Sequence, residues 1–100
     1  MPTEEQVAES LKVVNDPELG INIVDLGLVY DIQVTEDGEV HIVFTLTSAG
    51  CPIGPMLEQE IKQVLGQVEG VAQVTTDLVL SPPWGPEKMS DLAKSALGFF

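Results

Sequence analysis

Sixteen acidic residues against four lysines and no arginine give this 100-residue chain a formal charge of −12. Nucleic-acid binding needs cations that displace counterions from phosphates, so a polyanion partner is excluded, and an anionic membrane surface is unattractive for the same reason. With 44% hydrophobic residues and five aromatics, the chain reads as one aliphatic-core domain spanning 1–100 rather than as a disordered segment.

The apolar runs are only a few residues long, too short to span a membrane. The start, Met1-Pro2-Thr3-Glu4-Glu5-Gln6, is acidic where a targeting segment is basic. A single cysteine cannot form an internal disulfide. Together these set the expectation of a cytoplasmic protein. Its acidity serves solubility, and it also suits recognition of a basic face on a partner protein.

In chain order, the first element is a helix over about Glu4–Val14. Thr3 and Gln6 have capping-box spacing, and Val7, Leu11 and Val14 share a face. Asn15-Asp16-Pro17-Glu18-Leu19-Gly20 then forms a turn cluster, because Pro17 disfavours helix at Asp16 and Gly20 permits positive φ. The loop is longer than simple connection requires, and such loops often carry function.

Two strands follow. In one row Leu28, Tyr30, Ile32 and Val34 alternate with Val29, Asp31 and Gln33. In the other Val40, Ile42, Phe44 and Leu46 alternate with His41, Val43 and Thr45. The Asp37-Gly38 step between them makes a hairpin. A second helix over about Pro55–Leu65 buries Leu57, Ile61, Val64 and Leu65, with proline in its first turn and Gly66 just beyond its end. A third strand near Ala72–Leu80 puts Val74, Thr76, Leu78 and Leu80 on one face. Ser81-Pro82-Pro83-Trp84-Gly85-Pro86 breaks it, and a last helix near Pro86–Leu97 presents Met89, Leu92, Ala93 and Ala96.

The order α-β-β-α-β-α predicts a two-layer α/β sandwich: a three-stranded mixed sheet with helices mainly on one face. The crossover through the second helix should be right-handed, leaving the third strand parallel to the second. Which earlier strand it pairs with is open.

Chemistry concentrates where the second strand gives way to the second helix, in Thr47-Ser48-Ala49-Gly50-Cys51-Pro52. A thiol at a helix N-terminus lies near free N–H groups and the positive dipole end, both of which favour thiolate, the form that attacks electrophiles and binds metals. The competing role is a small buried hydrophobe. Thr47 and Ser48 suit strand-end capping. Asp16 and Glu18 flank a proline, with Asp25 nearby. Such pairs are commonly capping or solvated, and spacing alone does not bring them to Cys51. His41, the only histidine, lies opposite the apolar face of its strand and away from the strand end, which argues against a Cys-His dyad. Trp84 between prolines reads as a core or staple residue, and tryptophan also marks partner surfaces.

A stable zinc or iron–sulfur site takes about four ligands, and the chain offers one thiol and one imidazole. No CxxC and no P-loop motif is present. Any cluster held through Cys51 is therefore transient or shared with another chain.

Three segments carry a resemblance. Residues Asp16-Pro17-Glu18-Leu19-Gly20-Ile21-Asn22-Ile23-Val24-Asp25-Leu26-Gly27-Leu28-Val29-Tyr30 look like the opening signature of the MIP18 family, the DUF59 domain. Thr45-Leu46-Thr47-Ser48-Ala49-Gly50-Cys51-Pro52 resembles its cysteine motif, and Pro82-Pro83-Trp84 with Met89, Ala93, Leu97 and Gly98 its C-terminal segment. The resemblance implies an α/β protein of iron–sulfur cluster assembly, like the SufT-like factors and the PaaD subunit of phenylacetate degradation. Matched by motif, the implied functional residues are Asp16, Glu18, Thr47, Ser48 and Cys51, with Cys51 a transient iron–sulfur ligand and no stably bound cofactor. The cysteine-rich extension of PaaD-type proteins is not in these hundred residues, which weakens a literal phenylacetate role, and the ATPase domain of the fused cluster carriers is not in them either, which argues against that role.

The expected function is accessory rather than enzymatic: cluster assembly or delivery through contacts with assembly proteins or apo-client enzymes, with a homodimer also compatible. A thiol-dependent enzyme or redox sensor using Cys51 is the alternative from another class. A structural adaptor in an oxygenase complex, with Cys51 as inert packing, is a third.

Overall fold

The computed structural model describes residues 3–17, 19–46 and 53–98. The elements run α1 (Glu4–Leu11), β1 (Val29–Val34), β2 (Glu39–Phe44), α2 (Ile53–Leu65), β3 (Gln73–Leu78), a short 3-10 turn at Pro86–Lys88, and α3 (Asp91–Leu97). This is the expected α-β-β-α-β-α order.

The capping box forms as its spacing requires: Gln6 N–H donates to Thr3 Oγ1 at 3.0 Å, and Thr3 N–H donates to Gln6 Oε1 at 3.0 Å. Helix α1 stops at Leu11, three residues short of the expected end. Tight bonds from Val13 N–H to Ser10 O and from Val14 N–H to Leu11 O finish the turn, while the Val14 carbonyl accepts instead from Ile23 N–H at 3.0 Å. That cross-link and the Asn15–Asn22 bridge pull the chain out of helix. Val14 stays in the core and Val13 is left exposed.

The hairpin closes as the Asp-Gly step demands. Thr35 N–H bonds Glu39 O at 2.9 Å, and Gly38 holds φ 87, the left-handed residue of a three-residue loop. Strand order is β1-β2-β3, with β1 antiparallel and β3 parallel to the central β2. The pairing left open by the sequence is thus β3 with β2.

One strand row differs from the alternation. Val29 lies opposite Phe44 and Asp31 opposite Val43, so a bulge sits at Tyr30. It turns Val29 toward the core side and takes Tyr30 out of the Ile32–Val34 row. The Tyr30 hydroxyl donates to Pro82 O at 2.7 Å, and Lys88 Nζ lies 5.1 Å from its ring centroid.

Val40, Ile42 and Phe44 of β2 are fully buried against Val7 and Leu11 of α1 and Leu57, Ile61 and Leu65 of α2. Both helices cover that face. Helix α2 is described from Ile53, two residues earlier than expected. It buries Gly54 in addition to Leu57, Ile61 and Leu65, and leaves Val64 half-buried. A Cβ on Gly54 would sit 3.0 Å from Leu78 Cδ2, so the missing side chain lets the helix start lie close against β3.

The third strand ends at Leu78, and Leu80 is 62% exposed instead of sharing the buried face. The expected long last helix is split. Ser90 donates its N–H to Asp25 O at 2.7 Å, which interrupts the helix, and its Oγ accepts from Ala93 N–H, which starts a new one. Met89 and Ala93 are buried, whereas Leu92 and Ala96 face outward.

Candidate functional site

Among the described residues the buried polar or charged side chains are Asp16 and Thr45, at 0% and 1% exposure. One comes from the loop after α1 and the other from the end of β2, and both belong to segments that the sequence marks as chemical. Burial of such groups costs free energy unless hydrogen bonds compensate, so these two mark the segments worth building from.

Backbone hydrogen bonds link the loop that carries Asp16 to the strand end that carries Thr45. Ile23 N–H donates to Val14 O at 3.0 Å, Leu28 N–H to Ile23 O at 3.0 Å, and Thr45 N–H to Leu28 O at 2.8 Å. Loop, strand entry and strand end therefore form one continuous ladder. Because β1 is antiparallel to β2, its entry lies at the end where β2 and β3 finish; Val79 N–H completes that edge by donating to Phe44 O at 2.9 Å. Ligand sites of α/β sheets favour such carboxyl ends of parallel strands.

Asp16 anchors the loop. Its N–H donates to Ile21 O at 3.0 Å, its carbonyl accepts from Gly20 N–H at 2.8 Å, and its Oδ1 accepts from Leu19 N–H at 3.3 Å. Gly20 has φ 71, the left-handed conformation that this tight return needs. Further along, Asn22 and Asp25 clasp each other: Asn22 Nδ2 donates to Asp25 Oδ2 at 2.7 Å, and Asp25 N–H donates to Asn22 Oδ1 at 2.9 Å. The nearby Asp25 of the sequence reading is thus a loop-bracing residue.

The C-terminal segment straps this loop down. Trp84 Nε1–H donates to Leu26 O at 2.6 Å while its ring packs against the core, in keeping with a staple role. Together with the Ser90–Asp25 bond, it holds residues 25–28 from outside. Trp84 stands out in the sequence, whereas the Tyr30–Pro82 contact does not, since the bulge that frees Tyr30 has no glycine or proline to announce it.

Glu18, Thr47, Ser48 and Cys51 lie outside the described residues, so of the five candidates Asp16 alone is placed. The segment that carries Thr47, Ser48 and Cys51 leaves from Leu46, directly after Thr45, and rejoins the described chain at Ile53, the first residue of α2. His41 lies on the other face of the sheet, its Nδ1 2.7 Å from Thr75 Oγ1. Among the described residues no three His, Cys, Asp or Glu side chains converge to hold a metal ion. Nor is any helix among them long and apolar enough to cross a membrane.

Asp16→Ala is expected to cost about 1–3 kcal/mol, because it strands the Leu19 N–H inside the loop. Asp16→Asn retains an acceptor oxygen and should cost clearly less. Urea midpoints of the two variants decide the matter, and equal losses would show that charge, rather than the hydrogen bond, is what the loop requires.

This arrangement, a two-layer α/β protein whose long first loop is stitched to the end of its central strand, just ahead in sequence of the lone-cysteine segment, defines a class. Residues 4–76 match the family described as iron-sulfur cluster assembly protein, and the chain belongs to that family. It is 47% identical over 95 residues to the Fe-S protein maturation auxiliary factor YitW of Bacillus subtilis (strain 168), covering 95% of this chain and 93% of that one. To the Fe-S protein maturation auxiliary factor SufT of Staphylococcus aureus (strain USA300) it is 46% identical over 86 residues, covering 86% and 98%. The crystal structure of a domain of unknown function, DUF59, from Bacillus anthracis superposes with a TM-score of 0.91 at 42% identity, over 97% of this chain and 92% of that one. The resemblance drawn from the three sequence segments is thereby borne out.

Proposed function

We propose that this protein is an auxiliary factor in the maturation of iron–sulfur proteins. It acts by contact with assembly proteins or apo-clients and not by catalysing a reaction of its own. The observation that carries this reading is the near end-to-end likeness to two maturation auxiliary factors, at 46–47% identity. An iron–sulfur cluster is then cargo. Cys51 would offer one thiolate to it, with the remaining ligands supplied by the partner, since one thiol and one imidazole are too few for a cluster of its own. Asp16 holds the neighbouring loop in shape, and Thr47, Ser48 and Glu18 would border the exchange. A cytoplasmic setting follows from the same reading.

Deletion of the gene tests it. Aconitase-type activity should fall while the amount of client polypeptide stays constant, and the wild-type gene should restore it. Anaerobic affinity purification should recover cluster-assembly proteins or apo-metalloenzymes. Unchanged iron–sulfur enzyme activity in a strain lacking every copy of the family would overturn the proposal. Recovery of oxygenase subunits alone would favour the adaptor role.

A further inference from the structure

The face of the sheet turned away from α1 and α2 is polar, and its cross-strand register sorts it into three rows. Nearest the Thr45 edge, Asp31, Val43 and Asp77 lie side by side. Gln33, His41 and Thr75 form the next row, and Thr35, Glu39 and Gln73 the last. Strands lie about 4.8 Å apart, so Asp31 and Asp77 stand about 10 Å apart across a half-buried Val43. A depression of about 280 Å³ opens over the other two rows, and Glu39 and the hydrogen-bonded His41–Thr75 pair are among the side chains that line it.

No lysine lies on these strands. Lys12 pairs with Glu9 and Lys62 with Glu58 on the helices, Lys88 lies over the Tyr30 ring, and Lys94 is on α3. Asp31 accepts from Gln33 Nε2 at 3.0 Å, a neutral donor, and among the described residues no cation forms an ion pair with it. The face is therefore a flat acceptor surface with one carboxylate beside a side-chain-sized depression and two more flanking an apolar centre.

We infer that this open face docks the basic surface of a partner protein: one arginine or lysine enters the depression toward Glu39, and cationic groups about 10 Å apart reach Asp31 and Asp77. A second copy of this chain fits poorly, since two-fold pairing would set carboxylate rows against each other at −12 apiece. The inference does not rest on the cysteine reading.

The test uses the full chain, 15N-labelled, titrated with a synthetic nine-residue peptide of alternating arginine and threonine. Amide shifts should concentrate on Gln33, His41, Val43 and Thr75. Asp31→Asn/Asp77→Asn should weaken binding by about fivefold or more, while Glu58→Gln/Glu60→Gln, which removes the same charge from α2 on the opposite face, should change it less than about twofold. Equal weakening by both pairs, or shifts spread over the helices, would overturn the inference in favour of diffuse attraction. So would the same shifts produced by magnesium chloride at matched ionic strength, which would make the face a counterion sink. Concentration-dependent shifts on these rows without peptide would overturn it in favour of a second copy.

Discussion

Cys51→Ala is expected to abolish complementation of the deletion strain while leaving the amount of folded protein nearly unchanged. The substitution removes one sulfur from a chain whose described core is complete without it, since the buried cluster runs from Val7 through Phe44 to Ala93. Cysteine to alanine costs on the order of 1–2 kcal/mol even at a buried position, against a typical domain stability of about 5–15 kcal/mol. Phe44→Ala is the matched control. Phe44 is fully buried at the end of the central strand and heads the largest buried side chains, so its truncation should cost about 3–5 kcal/mol and lower both activity and soluble protein. Aconitase-type activity read beside soluble protein level separates the two. Full rescue by Cys51→Ala would eliminate an essential thiol, and with it the cargo-ligand role. Alkylation adds a second view: a thiol that reacts with iodoacetamide more slowly in the folded protein than in the denatured chain would be inert packing.

The parts of the fold legible in sequence are those set by local pattern. Thr3 and Gln6 cap α1, Asp37-Gly38 turns the hairpin, and the Leu57–Ile61–Leu65 spacing gives α2 its buried stripe, all within a few residues of chain. What escaped depends on distant partners. Helix α1 ends early because Val14 O is claimed by Ile23, and the last helix divides because Ser90 N–H is claimed by Asp25, 65 residues away in sequence. The bulge at Tyr30 is a register difference between two strands, which alternation within one strand cannot reveal. For the site, the chain named the loop and the cysteine segment, and the ladder from Val14 to Thr45 supplies the physical link between the first and the approach to the second. That Asp16 is buried was not readable, because an aspartate before proline in a polar loop has the same signature when solvated.

Gly27→Ala is expected to be the most damaging addition of a single methyl group. Gly27 has φ 79, where a side chain costs about 1–2 kcal/mol, and a Cβ there would fall on the Lys88 carbonyl, with Lys88 C at 2.7 Å and Lys88 Cβ at 2.8 Å. The obstacle is backbone and is fixed on both sides. Trp84 Nε1 is bonded to Leu26 O before it and Ser90 N–H to Asp25 O after it, while Met89 is buried between them. To admit the methyl the strap must lift, giving up both bonds at about 0.5–1.5 kcal/mol each and uncovering Met89 and Ala93; the total is about 3–5 kcal/mol. Gly98→Ala is the control. It has the same φ of 79 and, among the described residues, nothing lies within 4 Å of the added atom, so it bears the conformational cost alone. Trp84 is the only tryptophan and sits in the strap, so its emission should shift to the red in Gly27→Ala before the sheet melts, and the urea midpoint should fall well below that of Gly98→Ala. Equal midpoints with unchanged emission would show that residues 82–90 are not held against Gly27. The strap also closes over the loop that carries Asp16, so Gly27→Ala should lower complementation beyond its loss of soluble protein. Gly98→Ala should not.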